Sequence, residues 1–216
     1  MTIVQYTHLN NLPSKAQYAA LLSTLPIDMK NNISAYTNFS DSALRLAGKL
    51  LLIDCIKKID LADIVLITDL KFNNHGKPLF KPPLACSISY ADNMAIVACS
   101  TDGAVGIDME LLRPIDINLY RDYFTKKEWQ QLQLAANNYI TFFDMWTRKE
   151  AIVKAIGKGF FKDLNTIEVI DNNIRIDNAI YTLQKLTLNT NYCCHMATSC
   201  SSNSIVINSF DVFKSC

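Results

Sequence analysis

The sequence predicts an α+β protein made of two similar α+β halves joined without a flexible linker. Three observations predict it. Two long stretches, 41–57 (DSALRLAGKLLLIDCIK) and 142–157 (FFDMWTRKEAIVKAIG), carry apolar residues at helical spacing. The order helix, Gly-Lys loop, strand occurs near 41–80 and again near 142–170. Most of the remaining apolar runs are short and rich in β-branched residues, as strands are. The halves are placed at 1–102 and 103–216.

Taken in order, the first helix has Ser40 or Asp41 to cap it. DIVLI (63–67) reads as a strand. NNHGKPLFKPP (73–83) is punctuated by Gly76, Pro78, Pro82 and Pro83 and reads as turn and loop. Strands are expected over 86–100 and 104–112, joined in a hairpin at Thr101-Asp102-Gly103. RPIDINLYRDYF (113–124) leads as a loop into a helix, with Thr125 and Glu128 spaced for a capping box. The second long helix stops at Gly157, which can supply a left-handed cap. TIEVI, IRI, AIYTLQKLTL, CCHMATSC and SIVINSF, within 166–210, read as a meander of short strands.

The chain has 216 residues, 50% of them apolar, enough for a substantial core. Its 21 lysines and arginines balance 20 acids, which gives no footprint of a nucleic-acid binder. No apolar run reaches the length of a membrane span, and the N-terminal stretch lacks the pattern of a secretory signal. The 7 cysteines and 3 histidines lack zinc-ligand spacing, so the cysteines read as small buried residues of a reduced, cytoplasmic protein.

Two places carry the chemistry. In GIDME, Asp108 and Glu110 are two apart and share one strand face, about 7 Å apart. Such a pair suits a hard cation such as Mg²⁺, although a solvated strand face is the plain alternative. In the second long helix Glu150 and Lys154 are four apart on one face, where an ordinary surface ion pair is the alternative. If Glu150 meets Asp108 and Glu110, three carboxylates share one site, and a cation relieves their repulsion. With Lys154 beside it, the site would suit a phosphate ester or pyrophosphate. The Gly-Lys-Gly turn lacks P-loop spacing.

GIDME followed by WTRKEAIVKAIGKGF resembles the paired motifs of the 4'-phosphopantetheinyl transferases, of the larger, Sfp-like, pseudo-dimeric type. The upstream GKPLF and CSISYADNMAIVA are similar to that family's GKP loop and following strand, so the likeness covers roughly 40–161. The resemblance implies an active site at the interface of the two halves. It implies transfer of the 4'-phosphopantetheine arm of coenzyme A to a serine of an apo acyl or peptidyl carrier protein, releasing adenosine 3',5'-bisphosphate. Asp108, Glu110 and Glu150 would hold Mg²⁺, or Mn²⁺ in its place. Glu150 would also take the serine proton, and Lys154 would neutralise growing charge. Lys77 and Pro78 of the GKP loop, Ser89 and Tyr90 would contact coenzyme A, with Arg45 and Lys49, then Lys30, as cations for its 3'-phosphate. Tyr90 departs from the Ser-His found in many members, so a cation is missing there. A monomer is implied, with no nucleic acid or membrane partner. The stretch 113–124, with Ile115, Ile117, Leu119 and Phe124 among Arg113 and Arg121, would meet the carrier; a connection with those side chains tucked inward is the alternative. A non-catalytic coenzyme A or carrier-binding module and a metal-dependent phosphohydrolase are the competing readings.

Overall fold

A computed structural model describes residues 1–59, 70–73, 77–80, 84–157, 164–199 and 204–214. The elements run β1 (Thr2–His8), α1 (Lys15–Ser23), α2 (Ile27–Ser34), α3 (Phe39–Lys58), β2 (Lys71–Phe72), β3 (Pro78–Leu79), β4 (Ala85–Ala91), β5 (Met94–Ser100) and β6 (Val105–Leu111). A 3-10 turn (Ile117–Tyr123) then leads to α4 (Lys126–Leu134) and α5 (Asn138–Ile156). They are followed by β7 (Asn173–Ile176), β8 (Ala179–Lys185), β9 (Tyr192–Thr198) and β10 (Ile205–Ser209).

Strand alternation sorts these elements into layers. In β5, Ala95, Val97 and Cys99 face α3, while Met94, Ile96 and Ala98 face the other way. In β6, Val105, Ile107 and Met109 join that second set, with Cys194 and Met196 of β9. The result is α3 on a six-stranded sheet (β10-β1-β5-β4-β3-β2) and α5 on a four-stranded sheet (β6-β9-β8-β7), with an apolar seam between the sheets. No described helix is long and apolar enough to cross a membrane.

Both long helices form where the apolar spacing puts them. The first starts earlier than expected, because Asn38 and not Ser40 or Asp41 caps it, accepting from the Ser40 amide at 2.9 Å. Thr125 and Glu128 form the expected capping box of α4. Gly157 ends α5 at φ 76°, the left-handed conformation that favours glycine.

Elsewhere the structure corrects the reading. The stretch 86–100 is two strands, and their hairpin turns at Asp92-Asn93, with Asp92 at φ 49°. Aspartate tolerates that conformation, so the turn forms without a glycine. Residues 101–103 instead carry the chain from one sheet to the other, since β6 pairs with β9. TIEVI is not a strand, because side chains take its backbone groups. Glu128 accepts from the Val169 amide, and Arg148 donates to the carbonyls of Val169, Ile170 and Asp171. The last strand leaves the meander and pairs parallel with β1 in the first sheet. β1 itself, paired with β5 along its whole length, went unread in TIVQYTH. The strand expected at 63–67, and the Lys-Gly-Phe after Gly157, lie outside the described residues.

Candidate active site

One glycine and two serines bring the charged residues together. A Cβ on Gly106 would run into the Ala151 carbonyl and the Ala155 amide, so glycine lets α5 lie directly against β6. That contact sets Glu150 and Lys154 above Asp108. Ser87 and Ser89 of β4 accept from the amides of Ile107 and Met109 at 3.0 and 3.3 Å, which ties β4 beside β6 across the two sheets. The two serines, spaced i,i+2 in an otherwise apolar strand, are the signal that could have revealed this joint.

A cavity of about 640 Å³ opens at that joint. α2, the connection after it and α3 contribute Asn32, Ile33, Tyr36, Arg45 and Lys49, and β3 and β4 contribute Pro78, Ile88 and Tyr90. Asp108, Glu110, Glu150 and Lys154 line the other end. Lys30 is not among the lining residues.

At the acidic end, Lys154 Nζ donates to Asp108 Oδ1 at 2.6 Å and to Ser89 Oγ at 3.1 Å, and the Ser89 hydroxyl donates to Asp108 Oδ1 at 3.0 Å. Asp108 Oδ2 and Glu150 Oε1 are buried with no donor among the described residues. Burial first, and then the charge of Asp108, push Glu110 and Glu150 up to about 7. Oxygen-only donors, two buried oxygens without partners, and carboxyls held from ionising fit a hard divalent cation. On the other flank of α5, Asp144, Cys193 and His195 bring one ligand atom each within 4.8 Å of one another.

At the basic end, the Arg45 guanidinium lies 4.0 Å from the centre of the Tyr90 ring and 5.1 Å from that of Tyr36. Its Nε is buried without an acceptor among the described residues. Tyr90 sits where a Cβ on Gly48 would be, so the small residue of α3 makes room for the ring. Burial holds the Tyr90 phenol up at about 12, and its hydroxyl stays neutral. Burial, then Arg45, draws Lys49 down to about 8. Lys77 lines the cavity, but its ammonium is engaged with backbone. It donates to the carbonyls of Lys154, Ala155 and Val105, which cap the end of α5 and fasten it to β6. Burial draws it down to about 8 as well.

The lysine before Glu150 serves packing. Lys149 is fully buried, 2.9 Å from Glu128, and donates to the carbonyls of Leu164 and Ile167. In 113–124, Ile117 and Phe124 turn into the core, whereas Leu119 is 77% exposed beside exposed Arg121.

Residues 104–205 match the model of the 4'-phosphopantetheinyl transferase superfamily. Over this span the chain is similar to that superfamily. The 4'-phosphopantetheinyl transferase gsp of Aneurinibacillus migulanus is 32% identical over 140 residues, 63% of this chain and 58% of that protein. Sfp of Bacillus subtilis is 29% identical over 108 residues, 47% and 48% of the two chains. The mouse L-aminoadipate-semialdehyde dehydrogenase-phosphopantetheinyl transferase is 26% identical over 187 residues, 77% and 59%. The chain thus spans between about half and three fifths of the length of these curated relatives. The superfamily span contains Asp108, Glu110, Glu150 and Lys154; Arg45, Lys49, Lys77, Pro78, Ser89 and Tyr90 precede it.

Proposed function

We propose that this protein transfers the 4'-phosphopantetheine group of coenzyme A to a serine hydroxyl of an apo carrier protein, releasing adenosine 3',5'-bisphosphate. One observation carries the reading: a single cavity has a guanidinium held between two aromatic rings at one end and three carboxylates with a lysine at the other. A substrate with a terminal phosphate and a reacting pyrophosphate has that polarity. The relatives' names support the reading.

Asp108, Glu110 and Glu150 would hold Mg²⁺, which when bound offsets the charge of the pyrophosphate and draws electron density from it. The residues do the rest. Arg45, with its Nε free to donate and its plane fixed by Tyr36 and Tyr90, would bind the 3'-phosphate in place of the missing histidine. Glu150, titrating near neutrality, would accept the serine proton as the serine oxygen bonds to the pantetheine-bearing phosphorus. The bond from that phosphorus to the bridging oxygen breaks, and Lys154 would meet the charge arriving there. Lys77 holds α5, and so Glu150 and Lys154, in place.

The test is incubation with coenzyme A, Mg²⁺ and an apo carrier protein, read by intact mass. The carrier should gain one phosphopantetheine. Asp108→Ala and Glu110→Ala should each cost roughly 10²-fold or more in turnover with circular dichroism unchanged. Free phosphopantetheine without carrier modification would instead show a hydrolase, and neither product a binding module.

A further inference from the structure

On the far flank of α5, a second group of side chains converges that the proposed transfer does not use. β9 pairs with β6 so that His195 lies opposite Asp108 and Cys193 opposite Glu110. Alternation therefore turns Cys193 and His195 toward α5, while Cys194 and Met196 point into the seam between the sheets. Asp144 and Thr147, about one turn apart on α5, come down to meet them. One ligating atom from each of Asp144, Cys193 and His195 lies within 4.8 Å of the other two. His195 is 1% exposed and Cys193 3%, while the Asp144 side chain, at 31%, opens the group to solvent.

Hydrogen bonding fixes which imidazole nitrogen is available. The Thr147 hydroxyl donates to the Phe143 carbonyl at 2.7 Å, so its oxygen, 2.8 Å from His195 Nδ1, accepts the Nδ1 proton. Nε2 is left with a lone pair. It is buried, finds no donor among the described residues, and faces Asp144 Oδ1 at 3.8 Å. A buried lone pair that faces a carboxylate and has no partner of its own is satisfied by a cation between them. A proton is disfavoured, because burial draws His195 down to about 4 even with Asp144 close by.

We propose that Asp144, Cys193 and His195 form a second metal site, for a borderline-soft divalent cation of the Zn²⁺ class. One thiolate, one imidazole and one carboxylate are ligands such an ion selects, and a hard ion such as Mg²⁺ does not. The three protein ligands leave a fourth position toward the exposed side of Asp144. Cys193, whose thiol burial pushes up, gives its proton to solvent as the ion binds. Thr147 acts on the imidazole from behind, as an outer partner that orients a ligating histidine. Lys185 Nζ, 2.6 Å from Asp144 Oδ1 on a side chain 56% exposed, competes for the carboxylate and swings out to solvent. An ion here clamps β9 to α5, one strand away from Asp108 and Glu110.

The full chain, in excess Mg²⁺, is titrated with Co²⁺ and then Zn²⁺. Mg²⁺ occupies the oxygen ligands, which give no thiolate-to-cobalt absorption in any case. The expected result is one Co²⁺ per chain with a thiolate charge-transfer band, displaced by Zn²⁺. The band should persist in Asp108→Asn and vanish in Cys193→Ser, a near-isosteric change that keeps the fold. Lys185→Met, at an exposed position, should bind Co²⁺ up to roughly fivefold more tightly, by release of one exposed ion pair. Absence of the band from the wild type at saturating Co²⁺, or a band that survives Cys193→Ser, overturns the proposal. Because the readout is absorption and not transfer, its failure is separate from failure of the transferase reading.

Discussion

Tyr90 is a neutral ring where the resemblance implies a histidine, and its surroundings set a guanidinium beside it. The ring lies on the Arg45 guanidinium and is seated over Gly48, so its contribution is to aim a charge that α3 supplies. Stacking of this kind is worth about 0.5–2 kcal/mol. Tyr90→Phe should therefore leave the Michaelis constant for coenzyme A within about threefold, and Tyr90→Ala should raise it roughly tenfold. Tyr90→His, which on sequence grounds would restore a cation, should weaken binding, because the smaller ring leaves Arg45 poorly supported. Steady-state transfer with coenzyme A varied checks all three, and a tighter Tyr90→His variant would sink the aiming role. Glu110 and Glu150 make a second case. Their folded values near 7 lie above the usual 4.5, so the folded state holds protons there that a bound cation must expel. Mg²⁺ affinity should rise as pH climbs from about 6 to 8 and level off above. Calorimetry at pH 6.5 in two buffers of different ionisation enthalpy should show proton release that fades by pH 8.5. Affinity flat across that window would mean that the two carboxyls do not bind the cation.

α5 is held by two lysines on different sides, and neither is a surface charge. Lys77 takes the carbonyls at its C-terminal end; Lys149 is enclosed with Glu128 and the carbonyls of the 164–167 turn. Burial draws Lys149 down, and Glu128 opposes that by holding its charge. Lys149→Met leaves Glu128 buried without its partner, so it should cost about 3–5 kcal/mol in urea unfolding. Adding Glu128→Gln should recover only part of this, since Glu128 also closes the α4 capping box and accepts from Val169. A single-variant loss under about 1 kcal/mol would show the pair to be incidental. The same residues mark what the sequence could reveal. The helices, their caps at Thr125 and Gly157, and the i,i+2 and i,i+4 spacing of the acids and Lys154 are local facts, and the chain follows them. Lys149 and Arg148 read as charged helix positions, yet they consume the backbone of 164–171 and thereby unmake the strand expected there. Ser87 read as an ordinary strand residue and Ser89 as a coenzyme A contact, because their partners, the Ile107 and Met109 amides, lie on another sheet. The pairing of β10 with β1 is non-local and left no mark in spacing.

At the scale of the molecule, the acidic end of the cavity is bordered by Glu110 on β6, and the chain leaves β6 through Leu112 into 113–124. That stretch was expected to show four apolar side chains to a partner. Ile117 and Phe124 are buried, and Phe124 packs on Phe142 and Trp146, so a change there would report on folding. Leu119 points outward at 77% exposure, on the 3-10 turn that carries Arg121, with Arg113 just before it. An exposed apolar residue on a turn with an exposed arginine is the composition that an acidic helical partner matches, since apolar burial and arginine anchors carry interface energy. Leu119→Asp should raise the Michaelis constant for an apo carrier roughly tenfold or more, through lost burial and added repulsion. It should leave that for coenzyme A unchanged, because Leu119 is not among the cavity's lining residues. Arg121→Glu should act in the same direction, and its effect should shrink with salt, because exposed charges are screened within about 10 Å at roughly 0.1 M. Leu119→Asp should hold its effect across the same range, since most of the loss is burial. Steady-state transfer with carrier varied at saturating coenzyme A, at two ionic strengths, separates the two contributions. Carrier dependence untouched by both variants would move the docking face off this turn, and the exposed Ile180 of β8 would become the next apolar centre to change.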